Sequence, residues 1–95
     1  MSPLILPLVR RAILDLMESI GGEHNDEALT LLLNELGHRV ARRDVAEQLR
    51  WLGNEKLITT EELAPYLVVR ILTDGRDVAN GRYSVEGISL YKTGE

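Results

Sequence analysis

The stretch from Leu36 to Thr60 constrains the fold more strongly than any other part of the chain. Its middle section, Ala41 to Leu52, is predicted to be an amphipathic helix because apolar side chains recur there at helical spacing. These apolar anchors are Val45, Leu49 and Leu52. A turn at Gly37 precedes the helix, and Gly53 ends it before a run of strand-forming residues. The stretch therefore predicts a turn, a helix and a strand in immediate succession.

Two further helices are predicted before this turn. The first runs from about Pro7 to Ile20, because proline is tolerated in a first helical turn and Gly21 follows the last apolar position. The second begins after an N-cap at Asn25 or Asp26 and ends at Gly37.

After Gly53 the pattern changes to strands. Leu57 to Thr60 and Tyr66 to Leu72 are rich in β-branched and aromatic residues, and the acidic link Glu61 to Pro65 separates them. We expect a β-hairpin whose second strand turns three side chains to one face: Leu67, Val69 and Ile71. Thr73 can cap a short fourth helix over Asp74 to Asn80. The fold class is therefore α+β.

One domain is expected, since 95 residues with 44% apolar content supply a single core. We predict that residues 1–81 form this domain with an N-terminal apolar arm, and that 82–95 form a partly ordered C-terminal extension. No run of about 18 apolar residues is present, so no membrane span is expected. The absence of cysteine excludes disulfides and thiolate metal sites, which suits a reducing cytoplasm.

Positive charge is concentrated around the predicted third helix. The whole chain has a net charge of −4, but residues 36–56 contain five basic and three acidic side chains, a net of +2. The rest of the chain therefore carries −6. An acidic chain is a poor general binder of polyanions, so any DNA contact must come from this basic stretch.

The phrases LRWLGNEKLIT and ILTDGRDVANG resemble parts of winged helix-turn-helix proteins. The matching positions are Leu49, Leu52, Leu57, Ile58, Leu72, Thr73 and Gly75. The resemblance covers roughly Val9 to Gly81 and implies three helices, a β-hairpin wing and a short fourth helix. More narrowly, ELGHRVARRDVAEQLRWL, with VANG and VEGI further on, is similar to a family of short uncharacterised proteins of Mu-like phages and prophages. That similarity implies a phage origin and a winged-helix fold with no established activity. The expected location is the cytoplasm of a bacterial host.

The outer face of the third helix is the candidate DNA-binding surface. A helical wheel places Arg43, Glu47 and Arg50 opposite the apolar anchors, where they would meet a groove. Arg39 and Arg42, near the helix start, could contact the DNA backbone. The alternative is a solvated face on which Glu47 pairs with Arg43 or Arg50.

Apolar residues elsewhere suggest a second interface. Leu4, Ile5, Leu6 and Leu8 exceed what one short helix needs, so they either contact a second subunit or pack on their own domain. The single tryptophan, Trp51, is expected to pack under the wing, or alternatively to anchor a partner.

We expect neither an enzyme nor a metal or cofactor site. His24 and His38 lie in separate turns without cysteine partners, and no nucleophile-base pair, phosphate loop or dinucleotide motif is present. Two functional hypotheses remain. The first is a homodimeric DNA-binding protein that serves as a phage transcriptional regulator or DNA-handling accessory. The second is a module that binds a phage or host protein during assembly or regulation without binding DNA. The acidic tip of the wing, which contains Glu61 and Glu62 and no lysine or arginine, supports this alternative.

Overall fold

The order of helices and strands follows the predicted pattern with one addition. The computed structural model describes residues 1–90, which form four helices and a three-stranded antiparallel sheet. The elements are α1 (Leu6–Ile20), β1 (Glu23–Asn25), α2 (Asp26–Glu35), α3 (Arg42–Asn54), β2 (Ile58–Leu63), β3 (Tyr66–Ile71) and α4 (Thr73–Ala79). The expected α+β class is confirmed.

The helix ends reflect local sequence. A proline lies in the first turn of α1, and Gly21, with a φ of 72°, ends the helix by donating its N–H to the Met17 carbonyl. The side chain of Asn25 caps α2 by accepting a 2.8 Å hydrogen bond from the Ala28 N–H. Ala41, at the start of α3, makes no side-chain cap, so this helix is held by its buried apolar face.

Three details differ from the sequence-based expectation. The strand β1 was not predicted, because three residues are too few to show a periodic pattern. The residues Glu61 to Leu63 belong to β2 and do not form a link; their exposed, acidic character is that of an edge strand. Thr73 is the first residue of α4 and does not cap it, since the cap position falls on Leu72.

The sheet has β3 at its centre, between β1 and β2. The hairpin register pairs Ile58 with Ile71 and Leu63 with Tyr66. As predicted, Leu67, Val69 and Ile71 are buried on one face of β3. The hairpin turn is confined to two residues, Ala64 and Pro65, which are joined by a cis peptide bond.

The core draws side chains from all four helices, from β2 and β3, and from the segment that follows α4. Ile88, in the predicted C-terminal extension, is buried in it. The buried Arg11 of α1 binds this segment through 3.2 Å hydrogen bonds from Nη1 to the Ser89 and Leu90 carbonyls. Residues 91–95 of the predicted extension lie outside the described residues.

The glycine at position 75 is required by a close approach between α4 and the start of the hairpin. A Cβ atom there would overlap the Leu57 carbonyl oxygen and lie 2.9 Å from Cγ1 of Ile71.

Within residues 1–90, no helix has the length and apolar character needed to cross a membrane.

Candidate interaction surface on the third helix and the hairpin

A buried carboxylate joins three elements at the start of α3. Asp26 is the first residue of α2, and its side chain is only 8% exposed. It accepts a 2.9 Å hydrogen bond from Nε of Arg42, which begins α3, and a 3.0 Å hydrogen bond from the backbone N–H of Leu67 in β3. We call this arrangement the Asp26 junction; it fixes α2, α3 and the hairpin relative to one another.

The junction keeps Asp26 ionised. Burial by itself raises the pKa of the carboxyl group, but the hydrogen bond and positive charge of Arg42 and the hydrogen bond from Leu67 together outweigh it. The pKa of Asp26 is therefore below its ordinary value, so the ion pair persists at neutral pH.

Arg42 is turned towards the protein. Besides its bonds to Asp26, its Nη2 donates a 2.6 Å hydrogen bond to the Pro65 carbonyl at the hairpin turn. Its guanidinium group lies 5.4 Å from the centre of the Tyr66 ring, and Nη1 is 3.9 Å from Glu27. Most N–H donors of Arg42 are therefore already directed at protein acceptors. Few remain for the DNA contact that was predicted for this residue.

Arg50 is also paired, with the hairpin. Its Nε and Nη2 donate 3.1 Å and 3.0 Å hydrogen bonds to Oε1 of Glu62. The expected alternative pairing, with Glu47, does not occur; the partner comes from β2, which the sequence does not place near Arg50. Both side chains are exposed, so the pair adds at most about 1 kcal/mol to stability. Its larger consequence is that it neutralises a cation on the outer face of α3.

Two of the predicted DNA-contacting arginines remain unpaired. Arg39, in the turn before α3, and Arg43, in its first turn, are exposed and form no ion pair within residues 1–90. Glu47 is exposed on the same helix, also without an ion pair in the described part of the chain. The outer face of α3 therefore presents mixed charge.

The end of the hairpin is apolar. Leu63 and Tyr66 form the last cross-strand pair and are 50% and 39% exposed. Ala64 and Pro65 between them are exposed as well, and the carboxylates of Glu61 and Glu62 precede them. We call residues 61–66 the hairpin tip. Glu62 joins it to the outer face of α3 through Arg50, and we treat the tip and that face together as the candidate interaction surface.

The tryptophan predicted to lie under the wing contacts α1 and the C-terminal segment. The Arg10 guanidinium lies 3.9 Å from the centre of the Trp51 ring. Arg10 is held there by hydrogen bonds of 2.9 Å to Gln48 Oε1 and 3.0 Å to the Gly87 carbonyl. A Cβ atom at Gly87 would lie 3.0 Å from the Trp51 ring. Trp51 is thus half-buried in an intramolecular stack beside the interaction surface.

The four residues of the predicted dimer surface separate into two sets. Leu4, Ile5 and Leu8 are exposed, whereas Leu6 is half-buried beside Arg10 and Trp51.

Within residues 1–90, no group of three or more His, Asp or Glu side chains is arranged to hold a metal ion.

The sequence did not reveal the pairing role of Asp26. An acidic residue in the first turn of a helix is common because it favours the helix dipole, so it carries no signal for a distant arginine. Sixteen positions separate Asp26 from Arg42, and 41 separate it from Leu67.

A comparison with curated proteins finds a phage relative. The chain is 37% identical over 79 residues to the "Uncharacterized protein gp26" of Escherichia phage Mu, an alignment that covers 83% of this chain and 82% of that protein. No family model matches the chain, and no solved structure matches it. Because the identity extends over most of both chains, the protein belongs to the family of the phage Mu protein gp26.

Proposed function

We propose that this phage protein is a winged-helix module that binds another protein through the outer face of α3 and the hairpin tip. The winged-helix assignment is compatible with the element order, in which α2 and α3 are joined by a turn and a hairpin follows α3. The strand β1 pairs with β3 and so extends the hairpin to a three-stranded sheet.

The Arg50–Glu62 ion pair is the observation that favours a protein partner over DNA. DNA affinity depends on cations that neutralise phosphates and release counterions, and a paired arginine contributes little to this release. With Arg42 and Arg50 both facing carboxylates, the outer face of α3 retains Arg43 against Glu47. Such a balance supplies no net attraction to a polyanion.

The hairpin tip indicates the chemistry of the partner. Exposed Leu63 and Tyr66 supply apolar area, and an aromatic ring with a hydroxyl group is typical of interface anchors. The adjacent carboxylate of Glu61, which forms no ion pair within residues 1–90, favours a partner surface with lysine or arginine around an apolar patch.

Site-specific photo-crosslinking during phage growth tests the proposal. p-Benzoylphenylalanine in place of Leu63 is expected to trap a discrete protein adduct under ultraviolet light. The same amino acid in place of Tyr83 is a matched control, since Tyr83 is 51% exposed and lies after α4, outside the interaction surface. Glu61→Lys together with Glu62→Lys should abolish the adduct at position 63. Equal adduct yields from positions 63 and 83, or none from position 63, would contradict the proposal.

DNA binding is the second candidate, favoured by the two unpaired arginines at the start of α3. If Arg39 and Arg43 contact phosphates, fluorescence anisotropy with phage DNA at low salt should detect a complex. Two phosphate contacts per chain predict a slope of about −2 in log K against log salt. Arg39→Gln with Arg43→Gln should remove this binding, whereas Arg70→Gln, an exposed arginine on β3, should not. No binding by the wild-type chain at low salt would exclude this candidate.

A further inference from the structure

The turn before α1 and the first residues of that helix carry an exposed apolar surface. Leu4 is 87% exposed, and Ile5 and Leu8 are each about two-fifths exposed. The arm is nevertheless ordered: the Ile5 N–H donates to the Ser2 carbonyl at 3.1 Å, and the Leu4 N–H donates to the Ser2 hydroxyl at 3.3 Å. The leucine therefore projects from a defined turn, and little backbone conformational entropy is lost when a partner covers it.

A groove lies beside this turn. It has a volume of about 280 Å³ and lies between two parts of the chain. On one side are Ile5, which precedes α1, and Leu8 and Val9 of α1; on the other are residues 37–40, which join α2 to α3. Pockets for small molecules usually measure about 300–1,000 Å³ and enclose most of the ligand. This groove is smaller and open, so it suits an aliphatic side chain from another protein.

Two distant parts of the chain extend the apolar surface. Leu36, exposed at the end of α2, immediately precedes the groove residue Gly37. Leu90, also exposed, follows Ser89, whose N–H donates a 3.1 Å hydrogen bond to the Pro7 carbonyl in the first turn of α1. We call Leu4, Ile5, Leu8, Leu36 and Leu90 with the groove the N-terminal patch. Contiguous apolar patches of this kind mark protein interfaces.

The charges around the N-terminal patch suit a second copy of the same chain. Glu35 and Arg39, on either side of the turn, are exposed and form no ion pair within residues 1–90. In a two-fold contact each surface meets itself, so a surface that carries charges of both signs can pair with its copy. The hairpin tip lacks charges of both signs, because its one unpaired charged group is the carboxylate of Glu61.

We propose that the chain forms a homodimer through the N-terminal patch, in which Leu4 of each copy enters the groove of the other. The groove and the leucine adjoin on one surface, so a single two-fold contact fills both grooves at once. This dimer does not depend on the proposed function, because the N-terminal patch and the hairpin tip are separate surfaces of the molecule.

Sedimentation equilibrium on the full chain tests the dimer, at concentrations from about 1 to 100 μM, where micromolar dissociation constants are resolved. The wild-type chain should give a dimer mass, and Leu4→Asp should weaken the dimer at least about tenfold by placing a charge in an apolar contact. Leu31→Asp is the matched control, since Leu31 is 64% exposed on α2 and lies outside the N-terminal patch, and it should leave the dissociation constant unchanged. Circular dichroism checks that both variants are folded. A monomer mass for the wild-type chain throughout this range would overturn the proposal.

Disulfide trapping tests the position of Leu4, because the chain contains no cysteine of its own. Chains with Leu4→Cys and chains with Val40→Cys are mixed and oxidised, and a disulfide between the two variants is expected. Leu31→Cys mixed with Val40→Cys should give no more than background crosslinking. If the two mixtures crosslink equally, Leu4 does not enter the groove of the other copy.

Discussion

Replacing the buried carboxylate of the Asp26 junction should destabilise the whole domain. In Asp26→Asn the shape of the side chain is kept, but the negative charge is lost and one of the two acceptor oxygens becomes a donor. The new amide would face the guanidinium of Arg42, which has only donors to offer. The side chain is almost fully buried, so water cannot readily replace the lost contacts.

The magnitude follows from the contacts that are lost. A hydrogen bond to a charged group contributes about 1.5–3 kcal/mol, and the remaining amide oxygen of asparagine can still accept from Leu67. We therefore expect the free energy of unfolding to fall by about 2 kcal/mol. For a domain of this length, that loss lowers Tm by about 8–16 °C.

Urea unfolding followed by circular dichroism and by Trp51 fluorescence measures this loss. The control is Glu27→Gln, which removes a neighbouring carboxylate that faces the same arginine at 3.9 Å but is half exposed. Both residues lie in the first turn of α2, so their interactions with the helix dipole are similar. Glu27→Gln should cost less than about 0.5 kcal/mol. If the two variants unfold within about 0.5 kcal/mol of each other, the Asp26 junction does not have the structural role assigned to it.

Three further predictions follow from the structure. Because the pKa of Asp26 is lowered by folding, its contribution to stability should be complete above the ordinary aspartate pKa of about 3.9 and should disappear as pH falls through the lower folded value. The stability difference between wild type and Asp26→Asn should therefore shrink only below about pH 4, and a loss centred near pH 6 would contradict this assignment. Gly75→Ala should lower the free energy of unfolding by about 2–3 kcal/mol, because its Cβ overlaps the Leu57 carbonyl; a neutral effect in urea unfolding would show that the backbone adjusts freely. Arg10→Gln should shift Trp51 emission to longer wavelength, because the guanidinium that shields the ring from water is removed, and the lost cation–π contact should destabilise the chain by about 1 kcal/mol; an unchanged spectrum would refute the stack.

Much of the fold can be predicted from the sequence because helices and strands leave local patterns. Alternating burial in β3 and three- to four-residue spacing in α1, α2 and α3 are both visible in the order of residues. The exceptions are informative. The strand β1 exists because it pairs with residues 68–70 of β3, more than 40 positions away, and nothing in Glu23 to Asn25 signals that partner.

The candidate site was less predictable than the fold. A helical wheel correctly turned Arg43, Glu47 and Arg50 outwards, since direction around a helix depends only on position along it. A helical wheel does not show which side chains from other elements contact that face. The exposed Glu62 reaches Arg50 only because the hairpin folds back alongside α3.

The sequence by itself thus determined the four helices and the two strands of the hairpin, approximately where they end, and which side chains they turn towards the core. Tertiary structure alone decided which charged groups remain available to a partner. Arg42 is paired because Asp26, 16 positions earlier, and Pro65, 23 positions later, both converge on it. Arg39 and Arg43, of the same residue type and in the same stretch, form no ion pair within residues 1–90. The physical reason is that helical and strand periodicity are properties of neighbouring residues, whereas an ion pair depends on two groups that the whole fold must bring within a few ångströms of each other.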